Sequence, residues 1–390
     1  MTDNNVTPKK LDTEFVHVLR HADPDAMRAA FRHALASLAR VRAKEVIAIK
    51  PNLGSPFPEH TGATTALWMI EETVAYVRRK RGRPVIVEAP SHIHDYQQVL
   101  ELTGAGELFR RLEVDHADAR TDCIPLRPLK YDDSNGPIYH VHHGALGADG
   151  MICLPKLKTH NRTGVTLGMK GLMGLLSVPD RHKFHRRGVE RDVVELYRRL
   201  NDRIRATFID GIVAMEGHGP THGNPVQMNV IIAGCDTVSV DSVGAQIMGF
   251  ESEEVEHIRQ AHDAGDGDRK RDWRMDPEGL PLPMRPFERA REDNGLRTQL
   301  ITIPTVSKVL RMAGMGVRGR TKPILTGPVT PNACKCATQC PSGAIDENHQ
   351  IDLKRCTGSG LCIRTCTQGA VRGEGRRRKW VRIARDLTGF

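Results

Sequence analysis

Aromatic residues make up only 4% of this 390-residue chain, so its cores must be built mainly from Val, Ile, Leu, Ala and Met. Long apolar runs are missing as well. None approaches the roughly 20 residues that a membrane-spanning helix requires. The first residues, MTDNNVTPKKLDTEF, are polar where a secretory leader would be apolar. These absences argue against a membrane protein or a secreted precursor, and the composition against a collagen-like or coiled-coil fibre, which leaves a cytoplasmic protein as the expectation. Several catalytic signatures are also lacking. There is no Walker A sequence, no G-x-S-x-G elbow and no H-E-x-x-H helix. The G-x-G of Gly265 to Gly267 follows a predicted helix, not a strand, so it is no dinucleotide fingerprint. Ordinary nucleotide, serine-hydrolase and zinc-protease readings are therefore weak.

What is present is an ordinary globular mixture, 39% apolar and 27% charged, long enough for two or three domains. Basic residues outnumber acidic ones by 57 to 47, for a net charge of +10. That permits nucleic acid, anionic membrane or acidic partners and selects none. No nucleic-acid-binding signature surrounds the one dense basic run, Arg376 to Lys379. It is a solvated tail or a docking patch for an acidic redox partner.

Of nine cysteines, Cys123, Cys153 and Cys235 are scattered and read as small buried residues, while six fall between Cys334 and Cys366. A tight cysteine cluster in a reducing compartment points to metal or redox chemistry. The cluster contains a repeat, C-x-x-x-C-x-x-G-A-[IV], at Cys336–Ile345 and Cys362–Val371, offset by 26 residues. It resembles the two-cluster bacterial ferredoxin module, in which the fourth cysteine of each half-motif ligates the other cluster. The departures from that pattern matter. Cys356, Cys362 and Cys366 fall at the first, third and fourth positions of the second half, with Ser359 where a cysteine belongs. In the first half Cys336 and Cys340 align, Thr330 and Ala333 occupy the other positions, and Cys334 is one residue out of register. With the family's crossover, the resemblance implies one cluster on Cys340, Cys356 and Cys362, with Ser359 or nothing fourth. The other would have Cys336, Cys366 and Cys334. Three thiolates suit a [3Fe-4S] cluster or a [4Fe-4S] cluster with an open iron, one cluster rather than two. Zinc, or loss of metal altogether, is the alternative.

Residues 45–330 alternate strands and helices. Strands are predicted at Glu45–Lys50, Val85–Ala89, Met151–Leu154, Ala206–Val213 and Asn229–Ala233. Helices are predicted at Gly62–Lys80, Val193–Leu200, Ser239–Met248 and Glu254–Ala264. The expected fold class is α/β, a parallel or mixed sheet with crossover helices, plus a small C-terminal ferredoxin-like α+β module. The expected organisation is an irregular N-terminal arm and helix over 1–44, with Asp23 as N-cap and Pro24 opening the helix, then an α/β body over 45–265 that could be two lobes. A linker over 266–329, the iron–sulfur module over 330–375 and a basic tail over 376–390 complete it.

The most unusual segment is 154–174. It follows a predicted strand and concentrates Lys156, Lys158, Thr159, His160, Arg162, Thr163, Thr166 and Lys170 among glycines. Loops at the carboxyl ends of strands are where open α/β sheets bind ligands. One reading is a solvated basic loop. The other is an anion-binding active-site loop, in which Lys158 and Arg162 hold carboxylate or phosphate, Thr159, Thr163 or Thr166 donates hydrogen bonds, and His160 carries a proton or binds metal. His182 and His185 lie downstream. Glu216, in a Gly- and Pro-dense stretch after Asp210, is a general base or a turn cap. Asp236 is the expected N-cap of the helix containing Asp241.

KPNL at 50–53, PKLKTH at 155–160, TLGMKGLMG at 166–174, DGI with MEGHGP at 210–220 and CDTVSVD at 235–241 together resemble the family called domain of unknown function 362. Members often carry a ferredoxin module at the C-terminus and commonly have Asn where this chain has Gly171. The resemblance implies an iron–sulfur-associated bacterial or archaeal protein without a settled reaction. A fainter resemblance is to lactate racemase, which carries a nickel-pincer nucleotide on a lysine ten residues after a histidine, the spacing of His160 and Lys170. It implies a racemase or epimerase with the cofactor bonded to Lys170; Thr166 and Asn52 are the other candidate cofactor contacts.

Of the competing functions, the leading one is an iron–sulfur oxidoreductase or open-iron enzyme. It would act on a small anionic substrate held by the 154–174 and 210–225 loops, with Lys158, His160, Lys170, His182, His185 and Glu216 as catalytic candidates. A ferredoxin, flavodoxin or reductase would be its redox partner, with no nucleic-acid or membrane partner. The alternatives are the nickel-dependent racemase and a ferredoxin-like electron carrier without catalysis of its own.

Overall fold

Apolar strand sequences such as VIAIKP and GMICL are buried on both faces, and so they build a sheet covered by helices on each side. The computed structural model describes residues 10–91, 94–126, 138–282, 286–290, 322–325, 345–346, 350–352 and 371–374, with the backbone alone at 185–187, 322–325 and 371–374. The chain divides into two units, 1–292 and 293–390.

The first unit opens with β1 (Val16–Arg20), α1 (Pro24–Leu38), β2 (Val46–Pro51), α2 (Leu67–Arg79) and β3 (Arg83–Glu88). There follow α3 (Tyr96–Thr103), α4 (Ala105–Arg111), β4 (Asp115–Asp118), a pair formed by β5 (Cys123–Leu126) and β6 (Tyr139–His142), and α5 (His143–Leu146). The central segment is β7 (Gly150–Leu154), β8 (Lys156–His160), β9 (Gly164–Val165), α6 (Leu167–Gly171), α7 (Val178–Arg187) and α8 (Val189–Leu200). The unit closes with β10 (Ile204–Glu216), β11 (Asn224–Gly234), α9 (Thr237–Ile247), α10 (Glu256–Asp263) and β12 (Trp273–Met275).

The main sheet runs β12-β1-β11-β10-β7-β2-β3-β4. Strands β10, β7, β2, β3 and β4 are parallel neighbours. β11 runs against both β10 and β1, and β12 lies parallel to β1. The predicted α/β class is what the chain adopts: a mixed, largely parallel sheet with crossover helices. Alternate residues of each strand face opposite layers. Ile47 and Ile49 of β2 join Phe31, Leu35, Met69 and Phe109, while Ala48 joins Met151, Phe184, Leu196 and Tyr197 on the other face. Helix α1 shows why its sequence folds as expected. Asp23 accepts from the Ala26 amide at 2.8 Å, Pro24 fills the first turn, and Met27, Phe31, Ala34, Leu35 and Leu38 form its buried stripe.

Three sequence expectations need correction. The N-terminal arm is not wholly irregular, because Val16–Arg20 pairs with β11 inside the sheet. The expected linker contributes β12, which pairs with β1. The 154–174 segment is not a loop: β7 is interrupted at Pro155 and resumes as β8, which pairs with the far half of the 13-residue β10 before the chain turns through β9 into α6. Of the scattered cysteines, Cys153 is buried as expected, whereas Cys123 and Cys235 are partly exposed.

In the second unit β13 (Lys322–Leu325) pairs antiparallel with β14 (Val371–Glu374), and Ile345 bridges Ile351. The cluster cysteines Cys334 to Cys366, Ser359 and the basic tail lie outside the described residues. Among the described residues no helix is long and apolar enough to cross a membrane, and no three His, Cys, Asp or Glu side chains gather as a metal site.

Candidate functional site

From β2 the chain builds outward through β3 and β4, then returns to place β7 on the other side of β2. The strand order therefore reverses between β2 and β7, and ligands of open α/β sheets bind beyond the carboxyl ends at such a point. Those ends carry an unusual load of lysine. Lys50 and Asn52 follow from β2, Glu88 ends β3, and Lys156 and Lys158 belong to the continuation of β7.

Two of these lysines are neutralised. Lys50 Nζ lies 2.5 Å from Glu88 Oε2, with both side chains 4% exposed. Gly174 passes so close that a Cβ there would run into both Glu88 Oε1 and Lys50 Nζ, and the two side-chain ends would have to shift to admit it. Lys156 Nζ lies 2.7 Å from Asp210 Oδ2 deep inside the unit. Asp210 is further satisfied by the amides of Ala66 at 2.7 Å and Ile212 at 2.9 Å. Buried ions persist only with this degree of pairing and hydrogen bonding.

Two others are not neutralised. Lys158 is buried and donates to Asn52 Oδ1 at 3.0 Å and to the Ala63 carbonyl at 2.7 Å, both uncharged acceptors. Burial, followed by the neighbouring Lys156 and Lys170 charges, pushes its ammonium down to about 7. Lys170, on α6, is partly exposed and has no hydrogen-bond or ion-pair partner among the described residues. Burial, then Arg181 and Lys50, pushes it down to about 8. Arg181 adds a further buried cation. It donates to the carbonyls of Pro90 at 2.8 Å, Leu176 at 3.0 Å and Gly174 at 3.1 Å, and to no carboxylate among the described residues. The position of α6 is set from outside: Asp241 on α9 accepts from the Gly168 amide at 2.6 Å and the Met169 amide at 2.8 Å. Burial raises the Asp241 carboxyl to about 7.

The remaining candidates divide. His160 Nδ1 accepts from the Arg162 amide at 3.1 Å, which leaves Nε2 to carry the proton of the neutral ring. Thr159 and Thr163 spend their hydroxyl protons on the carbonyls of Gly217 (2.9 Å) and Val165 (2.8 Å), so they fasten the backbone and do not donate to a ligand. The Thr166 hydroxyl is buried with no partner among the described residues. Glu216 ends β10 and accepts from the Glu288 amide at 3.0 Å, a contact that ties the 286–290 segment to the strand end and does not cap the local turn. Gly219 sits directly against the Thr159 carbonyl, and the Gly219-Pro220 bond is cis. His182 lies on α7 next to Arg181; the His185 side chain lies outside the described residues. Asp236 caps α9 as expected, accepting from the Val238 amide at 2.9 Å. Sequence reasoning missed Glu88, Arg181 and Asp241 as parts of the site, and saw Lys50 only as a motif letter. Glu88 carried one signal, a charged residue closing an apolar strand, and Asp241 another, a carboxylate inside an apolar helix, whereas Arg181 sits in a polar helix and gave none.

A family model described as Domain of unknown function (DUF362) matches residues 47–246. The thylakoid-associated protein sll1697 of Synechocystis sp. is 25% identical over 218 residues, 54% of this chain and 65% of that protein. Pyruvate synthase subunit PorD of Methanothermobacter marburgensis is 36% identical over 53 residues, 14% of this chain and 65% of that subunit. The matched stretches thus span just under two thirds of each relative. Lactate racemase apoprotein from Thermoanaerobacterium thermosaccharolyticum superposes with a TM-score of 0.39 at 14% identity, over 63% of this chain and 60% of that one, an overlap too weak to inform the site.

Proposed function

The chain belongs to the DUF362 family, whose description names no reaction, and from that premise we propose an iron–sulfur-associated enzyme that holds a small anionic substrate between Lys158 and Lys170. The observation that carries this reading is the pair of lysines without a carboxylate counter-ion among the described residues, Lys158 buried on β8 beyond the carboxyl end of β7 and Lys170 partly exposed on α6. An anion supplies the missing negative charge in a region where water screens little. Asn52 and the Ala63 carbonyl hold the Lys158 ammonium in place. With its ammonium pushed down to about 7, Lys158 can exchange a proton near neutrality. Lys170 supplies the second positive charge, and Asp241 holds its helix in register.

The iron–sulfur part of the proposal rests on cysteine spacing: the candidate ligands are Cys334, Cys336, Cys340, Cys356, Cys362, Cys366 and Ser359, and a single cluster takes three of the thiolates, either Cys340, Cys356 and Cys362, with Ser359 or nothing fourth, or Cys334, Cys336 and Cys366. The local likeness to a pyruvate synthase subunit supports a redox setting that handles a small organic acid. A bound cluster supplies electrons or an open Lewis-acid iron, and a ferredoxin, flavodoxin or reductase would be the exchange partner.

A second reading, a racemase or epimerase with a lysine-attached nickel-type cofactor, is favoured by one observation. Lys170 is unpartnered among the described residues and loses its proton near 8, which fits the free amine that covalent attachment needs. A mass increment on Lys170 together with nickel in the purified protein would favour it over the first.

The test of the first reading is calorimetric titration of the full chain with oxalate and with acetate. Both are expected to bind, and Lys158→Met or Lys170→Met to weaken oxalate by about ten-fold or more. Unchanged affinity in both variants would remove the site from these residues.

A further inference from the structure

One buried side chain plays no part in the reading above. His257, on α10, is fully buried, and neither Nδ1 nor Nε2 has a hydrogen-bond partner among the described residues. Most buried side-chain nitrogens are paired, so a ring with both nitrogens orphaned points to a partner outside the chain. The ring belongs electrically to the lysine site. Burial first, then the Lys170 charge, hold it neutral, down to about 3. Helices α6 and α10 pack on the same two helices, α8 and α9. The groups around Lys170 share the condition: its own ammonium is unpartnered, and so is the buried Thr166 hydroxyl four residues earlier.

A neutral imidazole presents one N–H donor and one lone-pair acceptor. The N–H can be met by any oxyanion. The lone pair needs a donor, and a fully deprotonated anion has none. We propose that His257 is a ligand-contacting, specificity-determining residue of the Lys170 site, and that the ligand is a small anion carrying its own O–H donor beside the charge. This rests on the anion-site reading and narrows it. Lys170 takes the charge, and His257 discriminates on the hydroxyl. A ring that stays neutral adds no charge attraction, so it selects by hydrogen bonding alone.

Hydrogen phosphate and sulfate are matched in shape and, near pH 8, in charge, but only hydrogen phosphate has an O–H donor. Titrated into the full chain at that pH, phosphate is expected to bind about ten-fold tighter than sulfate, the worth of one buried hydrogen bond. His257→Leu should bring the two affinities together with little loss of thermal stability, because it removes two orphaned polar atoms from an apolar environment. His257→Gln, which keeps a donor and an acceptor, should restore part of the preference and decides the matter if the leucine variant folds poorly. Lys170→Met should weaken both ions alike. Equal affinities in the unaltered chain, or a preference that survives in His257→Leu, would overturn the role of His257 while leaving the anion site standing. If neither phosphate, sulfate nor oxalate binds, the anion site falls and this inference with it.

Discussion

Burying an ammonium without a counter-ion is among the more expensive choices a sequence can make. Among the described residues Lys158 makes it with neutral partners only, and its ammonium is pushed down to about 7 from 10.5. The linkage has a definite sign. Below about pH 7 the folded and unfolded amines are both charged, and the folded state carries the full penalty. Between about 7 and 10.5 the unfolded amine binds a proton that the folded one has released, so stability rises with pH through that window. Lys158→Met should therefore be more stable than the parent chain at pH 6, with an advantage that shrinks towards pH 10. Urea midpoints at the two pH values check this, and an advantage independent of pH would contradict it. The paired lysine behaves differently. Asp210→Ala leaves Lys156 charged and alone in the interior, which should cost about 3–5 kcal/mol. A Lys156→Met/Asp210→Leu double variant should recover much of that loss in the same denaturation measurement. If the double variant is no better than the single, the buried pair is not what Asp210 contributes.

The elements carry the site because each presents its charge from a strand end or a short, anchored helix. α6 has five residues and cannot hold itself together. The Asp241 carboxylate on its first amides does so from α9. Asp241→Ala should accordingly lower oxalate affinity about as much as Lys170→Met does, while the circular dichroism of the sheet is kept. Full affinity in that variant would mean α6 is placed by something else. Gly174→Ala forces a methyl group against Lys50 and Glu88, an overpacking worth about 1–3 kcal/mol. It should loosen the Lys50–Glu88 pair and lower both the melting temperature and the affinity.

At this level much was legible beforehand. The β2, β3, β7, β10 and β11 runs and the α1 cap with Asp23 and Pro24 follow from apolar periodicity and capping chemistry. β8 was not legible. KLKTH is polar by composition, and it is buried only because Asp210 and Asn52 wait on elements distant in sequence. Asp241 and Glu88 were hidden for the same reason: a carboxylate's partner is a tertiary fact. His257 gave no signal at all, since one histidine on an amphipathic helix reads as an ordinary core or surface residue.

Across the whole molecule, the charged site lies in the unit ending at residue 292, and the six clustered cysteines lie in the unit that follows it. Their assignments are separable by experiment. Cys362→Ala should remove iron, acid-labile sulfide and visible absorbance from anaerobically purified protein and leave oxalate affinity unchanged. Lys170→Ala should do the reverse. Loss of iron in the lysine variant would mean the two roles are not independent. Iron at three or four per chain is the expected content for a single working cluster with three thiolates.

The most direct test is proton uptake on binding. Oxalate has no titratable proton near pH 8, so any proton exchanged with the buffer there is gained or lost by the protein. Titrations of the full chain in buffers of different ionisation enthalpy should show net uptake at pH 8, as the bound anion draws the Lys158 and Lys170 ammoniums back up from about 7 and about 8. The Lys158→Met/Lys170→Met chain should show none. Binding without proton uptake, or uptake that persists in the double variant, would contradict an anion held between these two lysines.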